Sequence, residues 1–464
     1  MRGLMIDCSR LVERHGYYHE LIARCSAWGY DALVLHCCDD HGLTAVLPGM
    51  EDLAAPHALP TAELRALIAA GRAADMRIIP EIECFGHARW LEGHPRWDAC
   101  FAGDRGRESL AFNAVDPVSP LTAELMQRLI AAVCAVFDDE VVHIGCDEVD
   151  LGDFCARRGL GDPHDVWSGW VNRLIAMVRA QGRRAMLWAD HLEKEERIAR
   201  AVDTDAIVVS WHYGPDDDAD GAGMRRLRDA GFRDIIAAPA VQCWSSRIHC
   251  LQRNLENVAA MEGHARACGA AGTLDTIWCP FRHIQGALWH GLASAAIIHR
   301  TGVLPDDDGS AVADLLFGGG NAATRRLCRD LPLLECHNQL FWHLWHGTRP
   351  GSLTLTEAGC NLRLGAELLP AIAGAEVPRH GADLQAMQLA ARTAVHLSQR
   401  LLRPDLAGDA AHRREHAALT AELAADWDAT RFPDDPARAT PRWSASWGHH
   451  HLLALMARLG GACG

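Results

Sequence analysis

Two adjacent carboxylates, Asp147 and Glu148, follow an apolar run over residues 140–146. The run predicts a buried strand that ends at this pair. A carboxyl group at a strand end, partly shielded from water, can have its pKa raised enough to act as a general acid near neutral pH. The pair can therefore protonate a leaving oxygen and hold a substrate group beside it. A solvated Asp-Glu pair that opens a loop is the alternative.

The adjacency of the two acids restricts the chemistry that they can perform. Glycosidases that use two enzymic carboxyls hold them roughly 5 to 9.5 Å apart, on either side of the scissile bond. Sequence neighbours are awkwardly placed for that arrangement. They suit substrate-assisted hydrolysis, in which the 2-acetamido oxygen of the sugar is the nucleophile.

Polar and aromatic residues also follow the other predicted strands. Four consecutive strands end in or near tryptophan, although aromatic residues are only 6% of the chain. Indole faces stack on the apolar face of a sugar ring, so the pattern predicts a sugar pocket; packing in a barrel core is the alternative, but barrel interiors favour branched aliphatics. In strand order, the candidate residues are Asp7 and Arg10, His36, Glu81 and His87, His143, Trp188 and Asp190, Trp211 and Tyr213, Trp244, and Trp278.

The elements that must position these residues are eight short apolar runs that alternate with amphipathic helical stretches. The runs cover residues 3–7, 32–36, 77–82, 140–146, 185–189, 206–211, 234–238 and 272–278. This α/β pattern predicts a (β/α)8 TIM barrel, whose catalytic residues lie at the C-terminal strand ends. A doubly wound sheet is the alternative, but the turn after the first strand has no glycine.

The strand signal fades after about residue 305, where helical periodicity covers residues 331–346, 362–373, 382–402 and 411–427. We therefore predict a catalytic barrel over residues 1–304 and an α-helical C-terminal domain over residues 305–464.

Composition excludes several classes of partner and cofactor. A net charge of −15 argues against nucleic acid, and no apolar run is long enough to span a membrane. The 17 cysteines show no C-x-x-C pair, and no signal-peptide pattern opens the chain, so a cytoplasmic location is expected. The one lysine, Lys194, lies in a charged run, and neither of the two densest His/Cys clusters, at residues 36–40 and 449–451, has zinc-site spacing. We expect a small-molecule glycoside or oligosaccharide as partner and no metal or cofactor, and leave a homodimer open.

Three segments resemble glycoside hydrolase family 20, the β-N-acetylhexosaminidases. RGLMIDCSR at residues 2–10 is similar to the family's opening strand, and IPEIECFGH at residues 79–87 is similar to its third strand. HIGCDEV at residues 143–149 matches the family's His-x-Gly-x-Asp-Glu signature. Cys146, where many members have a second glycine, and the following Leu151-Gly152 resemble the intracellular hexosaminidase D-like branch.

The resemblance implies an exo-acting enzyme that hydrolyses terminal N-acetylgalactosaminides or N-acetylglucosaminides with retention, through the 2-acetamido group. Glu148 is implied as the general acid and later the base for water, and Asp147 as the acceptor of the acetamido N–H. His143 is implied to support this pair, and Tyr213 is the candidate donor to the acetamido oxygen. The implied polar ring is Asp7, His36, Glu81 and His87, and the implied aromatic walls are Trp188, Trp211 and Trp278.

Two departures from the family pattern leave the outer part of the site open. Members carry Tyr-x-Asp after strand 7, where this chain has Gln242-Cys243-Trp244, and they follow the strand 8 tryptophan with x-Glu, where Cys279-Pro280 stands here. The resemblance therefore does not fix gluco or galacto selectivity. A non-catalytic sugar-binding barrel and another acetamido-assisted glycosidase are the alternative functions.

Overall fold

The computed structural model describes residues 1–105, 113–305, 308–432 and 451–461. The chain divides into two compact units. The first comprises residues 1–239 and 260–276, and the second comprises residues 240–259 and 277–464. The domain boundary predicted after residue 304 stays a prediction.

The first unit contains a closed barrel of eight parallel strands, which confirms the predicted fold class. Going round the barrel, the strands run β1, β11, β9, β8, β7, β6, β5, β2, and β2 pairs with β1 to close the ring. All eight predicted apolar runs form barrel strands, because each is bounded by turn or polar residues and buried along its length. The barrel strands are β1 Arg2–Asp7, β2 Ala32–Asp39, β5 Arg77–Ile82, β6 Val141–His143, β7 Arg184–Trp188, β8 Ile207–Trp211, β9 Ile235–Ala238 and β11 Gly272–Ile277.

Three further strands in the described part of the chain were not predicted from the sequence. β3 (Gly42–Ala45) pairs antiparallel with the end of β2, and β4 (Ala54–Leu59) pairs parallel with β3. β10 (Ala240–Gln242) belongs to the second unit. The turn after β2 thus extends the sheet beyond the barrel on the side where Asp39 and Asp40 stand.

Helices connect the barrel strands and make up most of the second unit. No helix among the described residues is long and apolar enough to cross a membrane. The helices are α1 His15–Ala27, α2 Thr61–Ala73, α3 Pro120–Val136, α4 Gly152–Arg158, α5 Pro163–Ala180, α6 Asp190–Lys194, α7 Glu196–Ala201, α8 Ala222–Asp229, α9 Gln252–Cys268, α10 Gln285–Thr301, α11 Ser310–Phe317, α12 Ala322–Asp330, α13 Asn338–His346, α14 Ser352–Ile372, α15 Gly381–Leu402, α16 Ala410–Thr430 and α17 Leu452–Gly461.

The predicted strand over residues 140–146 is wrong in length. β6 covers only Val141–His143, because Gly145 (φ 65°) and Cys146 (φ 81°) adopt left-handed backbone that cannot continue a strand. Cross-strand hydrogen bonding continues for two more residues, since Ile144 donates to Met186 at 2.8 Å. We call residues 144–151 the β6 loop.

The second unit confirms the predicted helical C-terminal region. α14 and α15 pack closely, because a Cβ added at Gly365 would lie 2.5 Å from the Val395 side chain. Asn361 on α14 also donates to the Ser398 hydroxyl on α15 at 2.9 Å. The helix predicted over residues 331–346 begins only at Asn338, because the chain around Pro332 forms a short 3-10 turn and then becomes extended.

Candidate active site

Four of the predicted site residues form one row across the barrel. The strand register aligns Asp7 with His36, His36 with Glu81, and Glu81 with His143. These side chains are fully buried, and the His36 imidazole contacts the Glu81 carboxylate directly. His143 lies 3.8 Å from Glu81 and accepts a hydrogen bond from the Gly145 amide at 3.1 Å. The row therefore connects four adjacent strands and reaches the base of the β6 loop.

Charge in this row is balanced by neighbouring cations. Arg10 lies 2.9 Å from Asp7 and 2.7 Å from Asp39, which also contacts His36 at 3.1 Å. Burial opposes ionisation of Asp39, but Arg10 and the two nearby histidines hold its pKa well below the usual range. Burial likewise opposes the charge on His36, yet Glu81 and Asp39 raise its pKa to about 10. Arg10 and an imidazolium thus stabilise the buried carboxylates.

His87 is the residue that brings the two candidate catalytic acids together. Its Nε2 atom lies 3.7 Å from Asp147 Oδ2 and 3.5 Å from Glu148 Oε2. Its Nδ1 atom lies 3.4 Å from Asp40 Oδ2 on the opposite side of the ring. The amide of Asn113 in turn donates to Asp40. One imidazole therefore links the turn after β2 with the β6 loop.

The environment of His87 favours the ionised state of one neighbouring acid, Asp147. Burial alone would lower the pKa of His87, but Asp39, Asp147, Asp40 and Glu148 raise it well above its ordinary value. Burial opposes ionisation of Asp147, but the hydrogen bond and charge of His87 lower its pKa. Asp147 is thus an ionised acceptor, and no N–H of the described residues donates to its buried Oδ1 atom. Glu148 is less buried than Asp147, because 46% of its side chain is exposed.

Unusual backbone in the β6 loop gives the two acids their positions. Three residues of the loop, Gly145, Cys146 and Glu148, have positive φ, and φ of Glu148 is 53°. Such backbone is costly for residues other than glycine and persists where surrounding contacts hold it. Glu83 provides one such contact, since its Oε2 atom accepts from the Cys146 amide at 3.2 Å. Burial, with the charges of Asp147 and Glu81, raises the pKa of Glu83 well above its ordinary value.

Gly145→Ala is expected to destabilise the protein by about 1–3 kcal/mol. The new Cβ would overlap the Glu83 carboxylate, and φ is 65° at this position. Gly182→Ala is the matched control, because Gly182 has φ 72° but open space around it. Urea unfolding should show a larger loss for Gly145→Ala. Equal losses would mean that backbone conformation alone, without the Glu83 overlap, accounts for the effect.

Asp190 and His191 hold the β6 loop from the neighbouring strand end. Asp190 Oδ2 accepts from the Glu148 amide at 3.3 Å, and His191 Nε2 accepts from the Val149 amide at 2.9 Å. Burial, with the charge of Asp147, raises the pKa of Asp190 to about 7. Burial, with the charge of Lys194, lowers the pKa of His191 to about 4. His191 is therefore a neutral acceptor at neutral pH.

Asp190→Asn is expected to stabilise the protein relative to wild type as pH rises. The folded-state pKa of about 7 exceeds an unfolded value of about 3.9, so the folded protein holds a proton longer and loses stability between about pH 4 and 7. The variant removes this penalty, which is at most about 4 kcal/mol. Urea unfolding at several pH values tests this, with the exposed Asp229→Asn as control. A difference that does not grow over this window would contradict the assignment.

The predicted aromatic residues occupy three different settings. Trp188 is buried, with its ring centroid 4.5 Å from that of His143. Trp211 is partly exposed and stacks with Tyr213, with centroids 5.1 Å apart. Trp244 and Trp278 lie in the second unit, with centroids 6.0 Å apart.

Sequence reasoning did not assign site roles to several residues that the structure places beside the acids. Glu83 directly follows the predicted run over residues 77–82, and Asp39 and Asp40 stand three and four residues after the run over residues 32–36, so their position in the chain was a usable signal. Asn113 and His191 carry no motif, and only the folded chain brings them to Asp40 and Val149.

Among the described residues, three groups in the site have donor atoms within 4.8 Å of one another, close enough to hold a cation. These are His36–Glu81–Glu83, Asp39–Asp40–His87 and His87–Asp147–Glu148. The raised pKa values of His36 and His87 keep both imidazoles protonated, and a protonated ring offers no lone pair to a metal. The arrangement favours charge-assisted hydrogen bonds to the acids. The absence of a metal or cofactor stays a prediction.

A closed parallel barrel with paired acids after a strand end is typical of barrel glycosidases. The family model "Glycosyl hydrolase family 20, catalytic domain" matches residues 1–244, more than half of the chain, so the chain belongs to glycosyl hydrolase family 20.

Known proteins are similar to this chain over part of their length. A beta-hexosaminidase of Emericella nidulans is 24% identical over 52% of this chain and 43% of its own length. A lacto-N-biosidase of Bifidobacterium bifidum is 28% identical over 36% of this chain and 15% of its own. The solved chitobiase of Flavobacterium johnsoniae has a TM-score of 0.55 at 14% identity, covers 99% of this chain and 77% of its own, and supports the fold. The chain spans less than half the length of these two curated relatives.

Proposed function

We propose that the chain is an exo-acting β-N-acetylhexosaminidase that removes terminal N-acetylgalactosamine or N-acetylglucosamine with retention. The observation that carries this proposal is the contact of one His87 nitrogen with both Asp147 and Glu148. Because these acids are sequence neighbours on one side of the site, they suit acetamido-assisted chemistry. Their different burial gives them different tasks.

In the first step, Glu148 donates its proton to the glycosidic oxygen, and the C1–oxygen bond breaks. The acetamido oxygen of the same sugar attacks C1, which forms an oxazolinium ion. Asp147 accepts the acetamido N–H, and its negative charge stabilises the positive charge that develops on the ring. The lowered pKa of Asp147, whose side chain is 12% exposed, supports this role.

In the second step, ionised Glu148 removes a proton from water, and the water oxygen attacks C1 from the face that the aglycone left. The oxazolinium ring opens, and the acetamido group is restored. Two inversions at C1 give net retention. His87 supports both steps, because its imidazolium stabilises Glu148 each time that carboxylate is ionised.

The remaining predicted residues divide by exposure. The buried row of Asp7, His36, Glu81 and His143 supports the site through its neighbours. Arg10 and Trp211 are partly exposed and can face a sugar, as can Tyr213, the candidate donor to the acetamido oxygen. The binding roles of Asp190, Trp188, Trp244 and Trp278 stay predictions.

A substrate panel tests the proposal. Nitrophenyl β-glycosides of N-acetylglucosamine and N-acetylgalactosamine should be hydrolysed, and the matching glycosides without the acetamido group should not. A thiazoline mimic of the oxazoline should inhibit, and NMR should show the β-anomer as first product. Turnover without the acetamido group would overturn the mechanism. Sugar binding without any turnover would indicate a non-catalytic barrel.

We also propose membership of the hexosaminidase D-like branch, which the Cys146 and Leu151-Gly152 positions support. Members of that branch tend to favour galactosaminides, so the panel should show faster turnover of the N-acetylgalactosaminide. A reducing, cytoplasmic location is consistent with sixteen free cysteines among the described residues. The homodimer stays a prediction, which light scattering can test.

A further inference from the structure

The short helix α6 contacts two loops of the barrel unit. The side chains of its first two residues accept hydrogen bonds from two amides of the β6 loop, which carries the candidate catalytic acids. Its fourth residue, Glu193, contacts His212 in the segment that follows β8. We call residues 212–218 the β8 loop. A helix of five residues therefore connects the loop of the two acids with the loop that directly follows Trp211.

The contact between His212 and Glu193 is a largely buried ion pair. His212 Nε2 lies 3.0 Å from Glu193 Oε2 and 3.9 Å from Asp218 Oδ2. Both carboxylates are buried, and the His212 side chain is 20% exposed. Burial alone would lower the pKa of His212, but Glu193, with Asp218 and Asp217 beside it, raises this pKa. The His212 imidazole therefore makes a charge-assisted hydrogen bond to Glu193, which is stronger than one between neutral groups.

Helix α8 holds the acidic side of this contact. A Cβ added at Gly223 would lie 2.6 Å from the Glu193 carboxylate, so the lack of a side chain at Gly223 leaves room for that carboxylate. Arg226 Nε donates to the Glu193 carbonyl at 2.8 Å, which fixes the backbone of α6 beside α8. The Gly223 amide donates to Asp218 Oδ1 at 2.9 Å. Groups other than His212 therefore hold both carboxylates in place.

His212 stands in the chain between the two aromatic residues that can face a sugar. The backbone stays paired beyond the end of β8, since the His212 amide donates to the Ala238 carbonyl at 3.3 Å. Successive side chains of an extended chain point to opposite sides. Accordingly, Trp211 and Tyr213 stack on each other, with centroids 5.1 Å apart, while the His212 ring contacts α6. The His212–Glu193 contact thus connects the Trp211–Tyr213 pair to α6.

We propose that His212 is a positioning residue of the sugar site, which holds the Trp211–Tyr213 pair in place relative to the two acids through its contact with Glu193 on α6. The inference rests on the proposed function, in which this pair faces the sugar. His212 acts through its two neighbours and not on the reacting atoms. Because a misplacement of about 1 Å costs up to about a hundredfold in rate, we expect loss of the His212–Glu193 contact to lower kcat/KM.

Fluorine NMR of the full chain labelled with 3-fluorotyrosine tests the position of the pair without any substrate. Tyr213 is the one of the four tyrosines that is not buried, and the structure describes all four. Its resonance is the one that Tyr213→Phe removes. His212→Ala should shift or broaden this resonance and leave the other three in place. His212→Gln should keep it closer to the wild-type position, because the Gln amide can still donate to Glu193.

Kinetics on a nitrophenyl N-acetyl-β-hexosaminide tests the consequence for the reaction. His212→Ala should lower kcat/KM by about ten- to a hundredfold, and His212→Gln should lower it much less. His19→Ala is the matched control, because His19 makes a 2.9 Å contact with Glu63 at a more exposed place in the same unit. It should change neither the Tyr213 resonance nor kcat/KM. If His212→Ala fails to fold, Glu193→Met removes the same contact from the other side at similar side-chain length.

Two results would overturn the proposal. One is a Tyr213 resonance that stays in place in His212→Ala, or in Glu193→Met where that variant replaces it. The other is a shifted resonance with wild-type kcat/KM, because the contact would then hold the β8 loop without any effect on the reaction. A wild-type chain that hydrolyses no acetamido glycoside would instead overturn the proposed function. In that case the fluorine spectra alone would decide whether His212 holds the pair.

Discussion

Glu148→Gln is expected to lower kcat on an N-acetyl-β-hexosaminide by about 10²- to 10⁴-fold, the usual contribution of a general acid. The amide has nearly the same shape but no acidic proton, so the glycosidic oxygen would leave unprotonated. The loss in kcat/KM should be smaller on a nitrophenyl glycoside than on a disaccharide, because nitrophenolate leaves without help, whereas kcat on both substrates also depends on Glu148 as the base for water. Steady-state kinetics on both substrates measures the difference.

Binding provides the control for this variant. Glu148→Gln should keep affinity for the free sugar, since its backbone still donates to Asp190 at 3.3 Å in the loop. Glu195→Gln removes the same charge at an exposed position and should keep wild-type activity. If Glu148→Gln retained more than about a tenth of kcat on both substrates, the acid would have to be a different residue.

Much of the site could be predicted because barrel strands are short, apolar and bounded by polar residues. Asp7, His36 and Glu81 each stand at or next to a predicted strand end, and His143 lies within the predicted run over residues 140–146. Parallel register then places them in one row, as the structure shows. The signal failed at the β6 loop, because Cys146 at φ 81° leaves no mark in the residue pattern. Left-handed backbone at a residue other than glycine depends on tertiary contacts such as that from Glu83.

Residues that act across loops could not be predicted for a related reason. Asn113 donates to Asp40 from a loop, and His191 accepts from Val149 at a helix end. Neither position follows a helical or strand periodicity that would predict the contact. His396 and His412 show a different case. The spacing of His412 and His416 on one helix is visible in the sequence, but only the packing of α15 on α16 brings the His396 ring onto that of His412.

Asp147→Asn is expected to lower kcat/KM on N-acetyl-β-hexosaminides by about 10²- to 10³-fold. The ionised carboxylate is matched to a developing oxazolinium ion, and the neutral amide loses that charge while it keeps the shape. The amide also carries two N–H donors, so one can face the acetamido N–H where only an acceptor is useful. Activity should therefore fall on every acetamido substrate, whatever its leaving group, which distinguishes this variant from Glu148→Gln.

Inhibitor binding makes the test of Asp147 specific to the acetamido group. A thiazoline carries the ring nitrogen that Asp147 is expected to hold, so its affinity should fall in parallel with kcat/KM in Asp147→Asn. Asp153→Asn, an exposed change in the first turn of α4, should alter neither. Unchanged thiazoline affinity together with lost activity would mean that Asp147 acts only on the Glu148 proton through their shared contact with His87. A parallel loss would tie the Asp147 carboxylate to the nucleophile that the substrate itself supplies.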